Sequence, residues 1–366
     1  AGPWARAQWR MQSSGTTAGL RGIHAVDADI AWASGTNGTV LRTVDGGQHW
    51  QGCNVPPNAG RLDLRSVWAW DADHAMVMSS GPGTESRLYS TQDGCRNWRL
   101  IFTNPDAKGF WDALQFEGTH FGVILGDPID GRFALFATYD GGTRWTRQVD
   151  PCLETVARQQ GAFAASNQAL AVLPIEDADA PSGFAASHAV RFGTSDGWLY
   201  ELQLAPLHLA AAGECVHARV LPGSTKGNAS AGIFALAFRD GENGVAVGGD
   251  YTKPQASAAT AAYTSDGDRW HLAQHPPKGY RSAVAWNRTG IGTGNGSDGS
   301  WIAAGPGGSD ISRDGGRSWQ RLDGGNWNAL SLPFAVGPNG RIGRLISWGE
   351  LRAANGMPRQ RAIAAH

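Results

Sequence analysis

Arginines and aspartates recur at corresponding places along this 366-residue chain. Arg21, Arg65, Asp112 and Arg281 stand at the start of hydrophobic runs, in Leu20-Arg21-Gly-Ile, Leu64-Arg65-Ser-Val, Phe110-Trp111-Asp-Ala and Tyr280-Arg281-Ser-Ala, and Trp327 precedes another such run. A second set falls in short polar loops: Asp127, Asp130 and Arg132 in GDPIDGRF, Asp250 and Tyr251 in GGDYTKP, and Ser309 and Asp310 in GPGGSD. The planar, bidentate guanidinium fits a carboxylate, a phosphate or an acidic peptide. Aspartates and aromatics beside it suit the hydroxyls of a sugar. Two carboxylates about 5 Å apart, or roughly 6.5–9.5 Å apart, can hydrolyse a glycosidic bond with retention or inversion. Asp112, Asp127, Asp250 and Asp310 are the catalytic candidates on that reading. An aspartate paired to arginine has a depressed pKa and makes a poor acid, so the pairing of these groups decides much.

What positions them is a repeat. Five times the chain spells nearly the same box: TVDGGQHW from Thr43, TQDGCRNW from Thr91, TYDGGTRW from Thr138, TSDGDRW from Thr264 and SRDGGRSW from Ser312. Asp45, Asp93 and Asp140 are 48 and 47 residues apart, and Asp266 and Asp314 are again 48 apart, a period that suits one four-stranded propeller blade. Each box has the chemistry of a tight turn between strands: Asp bonds the amides of its own turn, the following Gly accepts positive φ, and the Trp packs between neighbouring sheets.

Each box closes a similar series of runs. An innermost strand is followed by a second alternating run (IAWASG, AMVMSS, FGVILGD, GVAVGGD, SWIAAG), a loop, a third strand, the box turn and an outer strand opened by the Trp. Two further units keep this rhythm without the box. In one, Phe163–Leu204 is read as three strands, Ala205–Glu214 replaces the Asp turn, Cys215–Leu221 is the outer strand, and Thr194-Ser195-Asp196-Gly197 is an inner loop. In the other, Ala329–Leu332, Phe334–Gly337 and Arg341–Ile346 give three strands, and the N-terminal Ala5–Gln12 supplies the fourth. The fold class expected is therefore all-β, a single seven-bladed β-propeller closed by its own N-terminal strand, with six blades as the fallback. Closure removes exposed sheet edges. The whole chain forms one domain: a closing strand at 1–12, blades at about 20–60, 64–105, 110–150, 160–222, 232–276, 280–323 and 326–348, and a tail at 349–366.

In this topology the first strand starts on the face to which the second-to-third loop returns, and the box turns lie on the opposite face. Arg21, Arg65, Asp112, Arg281 and Trp327 are thus expected around the mouth of the central channel, joined by Asp127, Asp130, Arg132, Asp250, Tyr251, Ser309 and Asp310. The ligand-binding set expected there is Arg21, Arg65, Asp130, Arg132, Tyr251, Arg281 and Trp327. The same charges can also serve as an ion-pair ring that joins blades.

The boxes resemble those of the Asp-box, or BNR-repeat, propellers, which include sialidases and xyloglucanases. Longer phrases are similar to the photosystem II assembly factor-like branch of that group: GDPIDGRF at 126–133, GAFAASN at 161–167, GIFALAFRD at 232–240, VAVGGDY at 245–251, GYRSAVAW at 279–286 and GPGGSDISRDGGRSW at 305–319. The resemblance runs from about Leu20 to Arg344, with a departure at Ser182–Leu221. It implies a non-catalytic assembly factor with an arginine patch, and only Arg21, Arg65 and Arg281 match such a patch here. A sialidase would need a glutamate to activate its tyrosine nucleophile, and no glutamate occupies a mouth position.

The remaining composition bounds the function further. With 31 basic and 32 acidic residues the formal charge is −1, so no overall field draws the chain to nucleic acid. No apolar run approaches the roughly 18 residues that span a bilayer, so no transmembrane segment is expected. No glycine-rich phosphate loop opens a helix, the Gly-rich connection at 292–300 included, and no two histidines at metal spacing have a cysteine or glutamate nearby, so neither cofactor nor metal is expected. Cys53, Cys95, Cys152 and Cys215 allow three pairings, and with Ala at position 1 they favour a periplasmic or secreted protein. The function expected is a monomeric, non-catalytic binding or assembly-factor-like propeller that holds a protein segment, or an anionic or carbohydrate ligand, at its central mouth. The alternative is a glycoside hydrolase using a pair of the mouth aspartates.

Overall fold

The computed structural model describes residues 8–157, 160–175, 187–205, 215–221, 229–288 and 299–346. They form seven four-stranded antiparallel sheets arranged as a β-propeller, six of them built from four strands consecutive in the chain. The innermost strands of blades 1 to 7 are Leu20–Ala25, Leu64–Ala69, Trp111–Glu117, Leu170–Ile175, Ala231–Phe238, Ala283–Asn287 and Ala329–Ser331. The last blade takes its outer strand from the other end of the chain, Gln8–Gln12, with Trp9 opposite Leu345 and Gln12 opposite Ile342. The N-terminal strand therefore closes the ring.

The core is divided among the blade interfaces. Seven apolar clusters each join two neighbouring blades: Trp32 and Val40 of blade 1 meet Leu64 and Tyr89 of blade 2, and Trp327 and Leu330 of blade 7 meet Ala283 and Ile302 of blade 6. Second strands lie between two sheets and are buried on both faces, as in Ala31–Gly35 and Ala75–Ser79, which explains why they read as runs of small and apolar residues. Outer strands such as Gln51–Gly52 and His271–Leu272 are short and exposed.

Four of the five Asp-Gly turns share one hydrogen-bond scheme. In the first, Thr43 Oγ1 donates to Asp45 Oδ1 at 2.9 Å, Gly47 N–H donates to Thr43 Oγ1 at 2.9 Å, and His49 N–H donates to Asp45 Oδ1 at 3.0 Å. Ser312, Asp314, Gly316 and Ser318 repeat it at 2.8, 2.9 and 2.9 Å. The shorter turn at Thr264 differs in that Asp268 N–H and Arg269 N–H both donate to Asp266 Oδ1, at 3.1 and 2.8 Å. The tryptophan that follows packs toward the preceding blade, Trp50 against blade 7 and Trp98 against blade 1.

Blade 4 departs from the sequence reading. Its inner strand begins at Leu170 rather than Phe163, and residues 160–169 form an irregular segment with a single turn of 3-10 helix at Asn167–Ala169. The reason lies in its polar side chains, which are committed to other blades. Thr194–Gly197 is the inner loop expected, joining strands Ser187–Gly193 and Trp198–Leu204. The outer turn expected within 206–214, the Gly-rich connection at 292–298 and the tail at 349–366 lie outside the described residues.

Disulfides join Cys53 to Cys95 and Cys152 to Cys215. The first ties the end of blade 1 to the Asp-Gly turn of blade 2, and the second ties the segment after blade 3 to the outer strand of blade 4.

Candidate functional site

A β-bulge recurs near the start of four inner strands. Register slips between Leu20 and Gly22, Leu64 and Ser66, Trp111 and Ala113, and Ile233 and Ala235, so Arg21, Arg65, Asp112 and Phe234 are the unpaired residues. A bulge re-aims the side chain it carries. The same device occurs at Asp127, between Gly126 and Pro128 on the neighbouring strand.

Between blades 1 and 2, Asp63 organises two arginines. Its Oδ2 accepts from Arg65 Nε at 2.8 Å and lies 3.9 Å from Arg21 Nε. Arg65 also donates through Nη1 to the Ala164 carbonyl at 3.2 Å. The two side chains remain 35% and 28% exposed, so these are neighbouring, accessible cations, of which Arg65 is fixed by hydrogen bonds. Tyr280 borders Arg21, whose charge opposes the strong upward shift that burial imposes on the phenol. Phe234 stacks on Phe163 with centroids 3.6 Å apart and meets Tyr280 edge-on at 4.6 Å, giving the mouth an apolar side. Tyr251, more than half exposed, stands edge-on to Phe234.

Two expected ligand residues are sealed instead. Arg281 is 0% exposed and Asp310 1%, with Arg281 Nε donating to Asp310 Oδ2 at 2.8 Å and the remaining nitrogens satisfied by Asp310 and the carbonyls of Tyr280 and Lys278. A pair neutralised inside the protein is structural, which removes Arg281 as an anion receptor and Asp310 as an acid. Trp327 is also fully buried, packed against Trp9 at 5.2 Å with its Nε1 donating to Asp323 Oδ1 at 3.2 Å. Asp130, in the left-handed region at φ 52°, and Arg132 lie on an exposed hairpin turn, where Arg132 pairs with Glu154 at 2.9 Å. Asp250 accepts from Ser230 Oγ at 2.7 Å and from Thr252 N–H at 2.9 Å, capping its own turn.

Asp112 and Asp127 are the two carboxyls brought together. Burial, and then the charge of Asp127, push the Asp112 carboxyl well above the usual carboxylate range, against a smaller opposing pull from Arg65. Its Oδ2 has no hydrogen-bond partner. Burial also raises Asp127, while the Ala162 N–H, donating to its Oδ1 at 3.0 Å, favours the ionised form. Asp112 is the deeper of the two, and burial favours its protonated form more strongly. As a chemical arrangement these are two neighbouring carboxyls, both shifted toward the protonated form, with Asp112 almost entirely enclosed.

The floor of the mouth was not legible in the sequence. The segment 161–169 lies across the channel and bonds the inner strands of four blades. Asn167 Oδ1 accepts from Leu114 N–H at 2.9 Å and its Nδ2 donates to the Val67 carbonyl at 3.4 Å. Gln168 Oε1 accepts from Val284 N–H at 3.0 Å, and its Nε2 donates to the Leu330 carbonyl at 3.2 Å. Ser166 donates to the Ser282 carbonyl at 2.7 Å. The only signal was a polar Ser-Asn-Gln run where an inner strand should start. Among the described residues one trio of possible metal ligands converges, Asp150, Cys152 and Cys215, and its sulfurs are taken by the disulfide.

Fold and site together define a seven-bladed propeller whose plugged mouth presents a partly open arginine pair. The sequence matches no protein-family model and no curated protein. Among solved structures, the chain is similar to YCF48 bound to a D1 peptide, with 18% identity and a TM-score of 0.57 over 92% of this chain and 96% of that one. YCF48 from Cyanidioschyzon merolae gives 18% identity and a TM-score of 0.54, covering 92% and 98%. The WD40 β-propeller domain of Doa1 gives 12% and 0.52, covering 92% and 97%. At these identities the likeness is one of fold.

Proposed function

We propose that this chain is a non-catalytic, assembly-factor-like propeller of the Asp-box group that holds a protein segment at its mouth by a carboxylate placed between Arg21 and Arg65. The observation that carries the reading is Asp63, which hydrogen-bonds Arg65 and lies within ion-pair distance of Arg21 while both guanidinium groups stay accessible. A fork held in place, as that of Arg65 is, suits bidentate carboxylate recognition. The phrases that resemble the photosystem II assembly factor-like branch support it, as does the likeness in fold to a propeller solved with a bound peptide. Because Asn167 and Gln168 occupy the channel, the segment lies across the mouth and does not thread the ring. Two disulfides support action in a periplasmic or secreted setting, and we propose that the protein acts there as a monomer.

The test is fluorescence anisotropy with a labelled acidic peptide, beside the same peptide with its carboxylates converted to amides. The acidic form should bind, the amidated form should not, and Arg21→Ala and Arg65→Ala should each weaken binding about tenfold or more. Unchanged affinity in the double variant would sink the proposal.

A second reading, hydrolysis of a glycosidic bond, rests on Asp112, whose burial favours its protonated form, standing beside Asp127. Its test is a hydrolase screen on the purified protein: turnover that disappears in Asp127→Asn would establish it in place of the binding role.

A further inference from the structure

Away from the arginine pair but on the same face, the loop at 13–17, which leads from the closing strand into blade 1, faces the loop at 338–341 of blade 7 across a cleft of about 780 Å³. The walls are built to keep their shape. Gly340 N–H donates to the Ala18 carbonyl at 2.7 Å, and Ser14 Oγ accepts from Thr16 N–H at 3.3 Å. Gly340 has φ +66°, and a Cβ there would lie 1.9 Å from the Thr16 carbonyl oxygen, so the two loops meet at a distance only glycine permits.

The lining has one charge. Arg341 lies over the Trp327 ring, 5.4 Å from its centroid, and Trp327 is itself immobilised by Trp9 and Asp323. The guanidinium touches Met11 Sδ at 4.0 Å, and no carboxylate lies within ion-pair distance of it among the described residues. A stacked guanidinium keeps its donors oriented and loses little freedom on binding an oxyanion. Around it stand the hydroxyls of Ser13, Thr16 and Thr17 and the amides of Asn326 and Asn339, groups that donate and accept and so match a ligand's hydroxyls. The volume is that of a small-molecule site, several times what a bare inorganic anion needs.

We propose that this cleft binds an anionic, hydroxyl-rich molecule of sugar size, such as a sugar phosphate or a uronic acid, with Arg341 receiving its charge. The inference is independent of the arginine pair at the mouth.

Isothermal titration of the full chain with glucose 6-phosphate, glucuronate, glucose and inorganic phosphate tests it. One or both anionic sugars should bind at least about tenfold more tightly than glucose and than inorganic phosphate, the worth of one charge-assisted hydrogen bond. A response to glucose 6-phosphate alone or to glucuronate alone identifies which anion the cleft prefers. Arg341→Gln should remove that difference. Asn339→Asp, which adds a like charge to the lining and leaves the Arg341–Trp327 stack intact, should weaken the anionic sugars about tenfold as well. Arg21→Ala should leave all four titrations unchanged. The proposal is overturned if neither anionic sugar binds, if glucose or phosphate binds as well as they do, or if both cleft variants keep wild-type affinity.

Discussion

Asn167 Oδ1 accepts the backbone N–H of Leu114 across the central channel at 2.9 Å, from a residue 53 positions away and on another blade. The same side chain reaches Val67 of blade 2, so one amide holds two inner strands whose groups face the channel. Asn167→Leu keeps the bulk and removes both bonds. Each buried backbone group left unpaired costs about 1–3 kcal/mol. The variant should lower the urea midpoint accordingly, and Gln168→Leu, which orphans groups in blades 6 and 7, should do the same. A midpoint unchanged in both variants would show that the plug does not hold the ring.

Arg281 and Asp310 make the opposite kind of contact to the Arg21–Asp63–Arg65 trio, fully enclosed where that trio is part open. Removing one partner of a buried pair strands the other charge at a cost of roughly 3–5 kcal/mol. Arg281→Ala should therefore destabilise the fold strongly while an apolar double replacement, Arg281→Met with Asp310→Leu, recovers much of the loss. Arg65→Ala, by contrast, should change stability little and peptide binding greatly. Denaturant melts of the four proteins separate the two roles.

Why the fold could be read while part of the site could not follows from what each depends on. The boxes repeat because each is a self-contained turn: Thr43, Asp45 and Gly47 satisfy one another within five residues, so the information is local. The blade count, the closing strand and the placing of Arg21, Arg65 and Asp112 at the starts of inner strands follow from that period. Burial of Arg281 and Trp327 depends on Asp310 and Trp9, partners 29 and 318 positions away, and no local pattern distinguishes Arg281 from Arg65. The rhythm of the other blades puts the start of blade 4 at Phe163, whereas its inner strand begins at Leu170 and 161–169 form the plug. Its function as a crosspiece depends on four other blades.

Asp112 gives a pH dependence with a definite sign. Its folded pKa is raised above the unfolded value near 4, so the stability linked to its proton is complete below about pH 4 and is lost as pH rises through the folded value. Asp112→Asn mimics the protonated acid. It should match the wild type at pH 4 and exceed it at neutral and alkaline pH, flattening the profile. Urea midpoints measured across that range check this, and a variant less stable at pH 8 than the wild type would contradict it.

The box aspartates act in the other direction. The backbone N–H of His49, then its side chain, hold the Asp45 carboxyl down to about 2, and Asp93, Asp140, Asp266 and Asp314 are likewise below their ordinary value. A depressed folded pKa contributes stability above the unfolded value, lost as pH falls from about 4 toward 2. Five such groups titrating together should make acid unfolding cooperative in that window. Asp45→Asn keeps the amide bonds to Thr43 and His49 in part but no longer takes up a proton. Its stability should therefore fall less steeply between pH 4 and pH 2 than that of the wild type. Parallel acid titrations followed by tryptophan fluorescence report this directly, because Trp50, which packs against blade 7, senses the same turn.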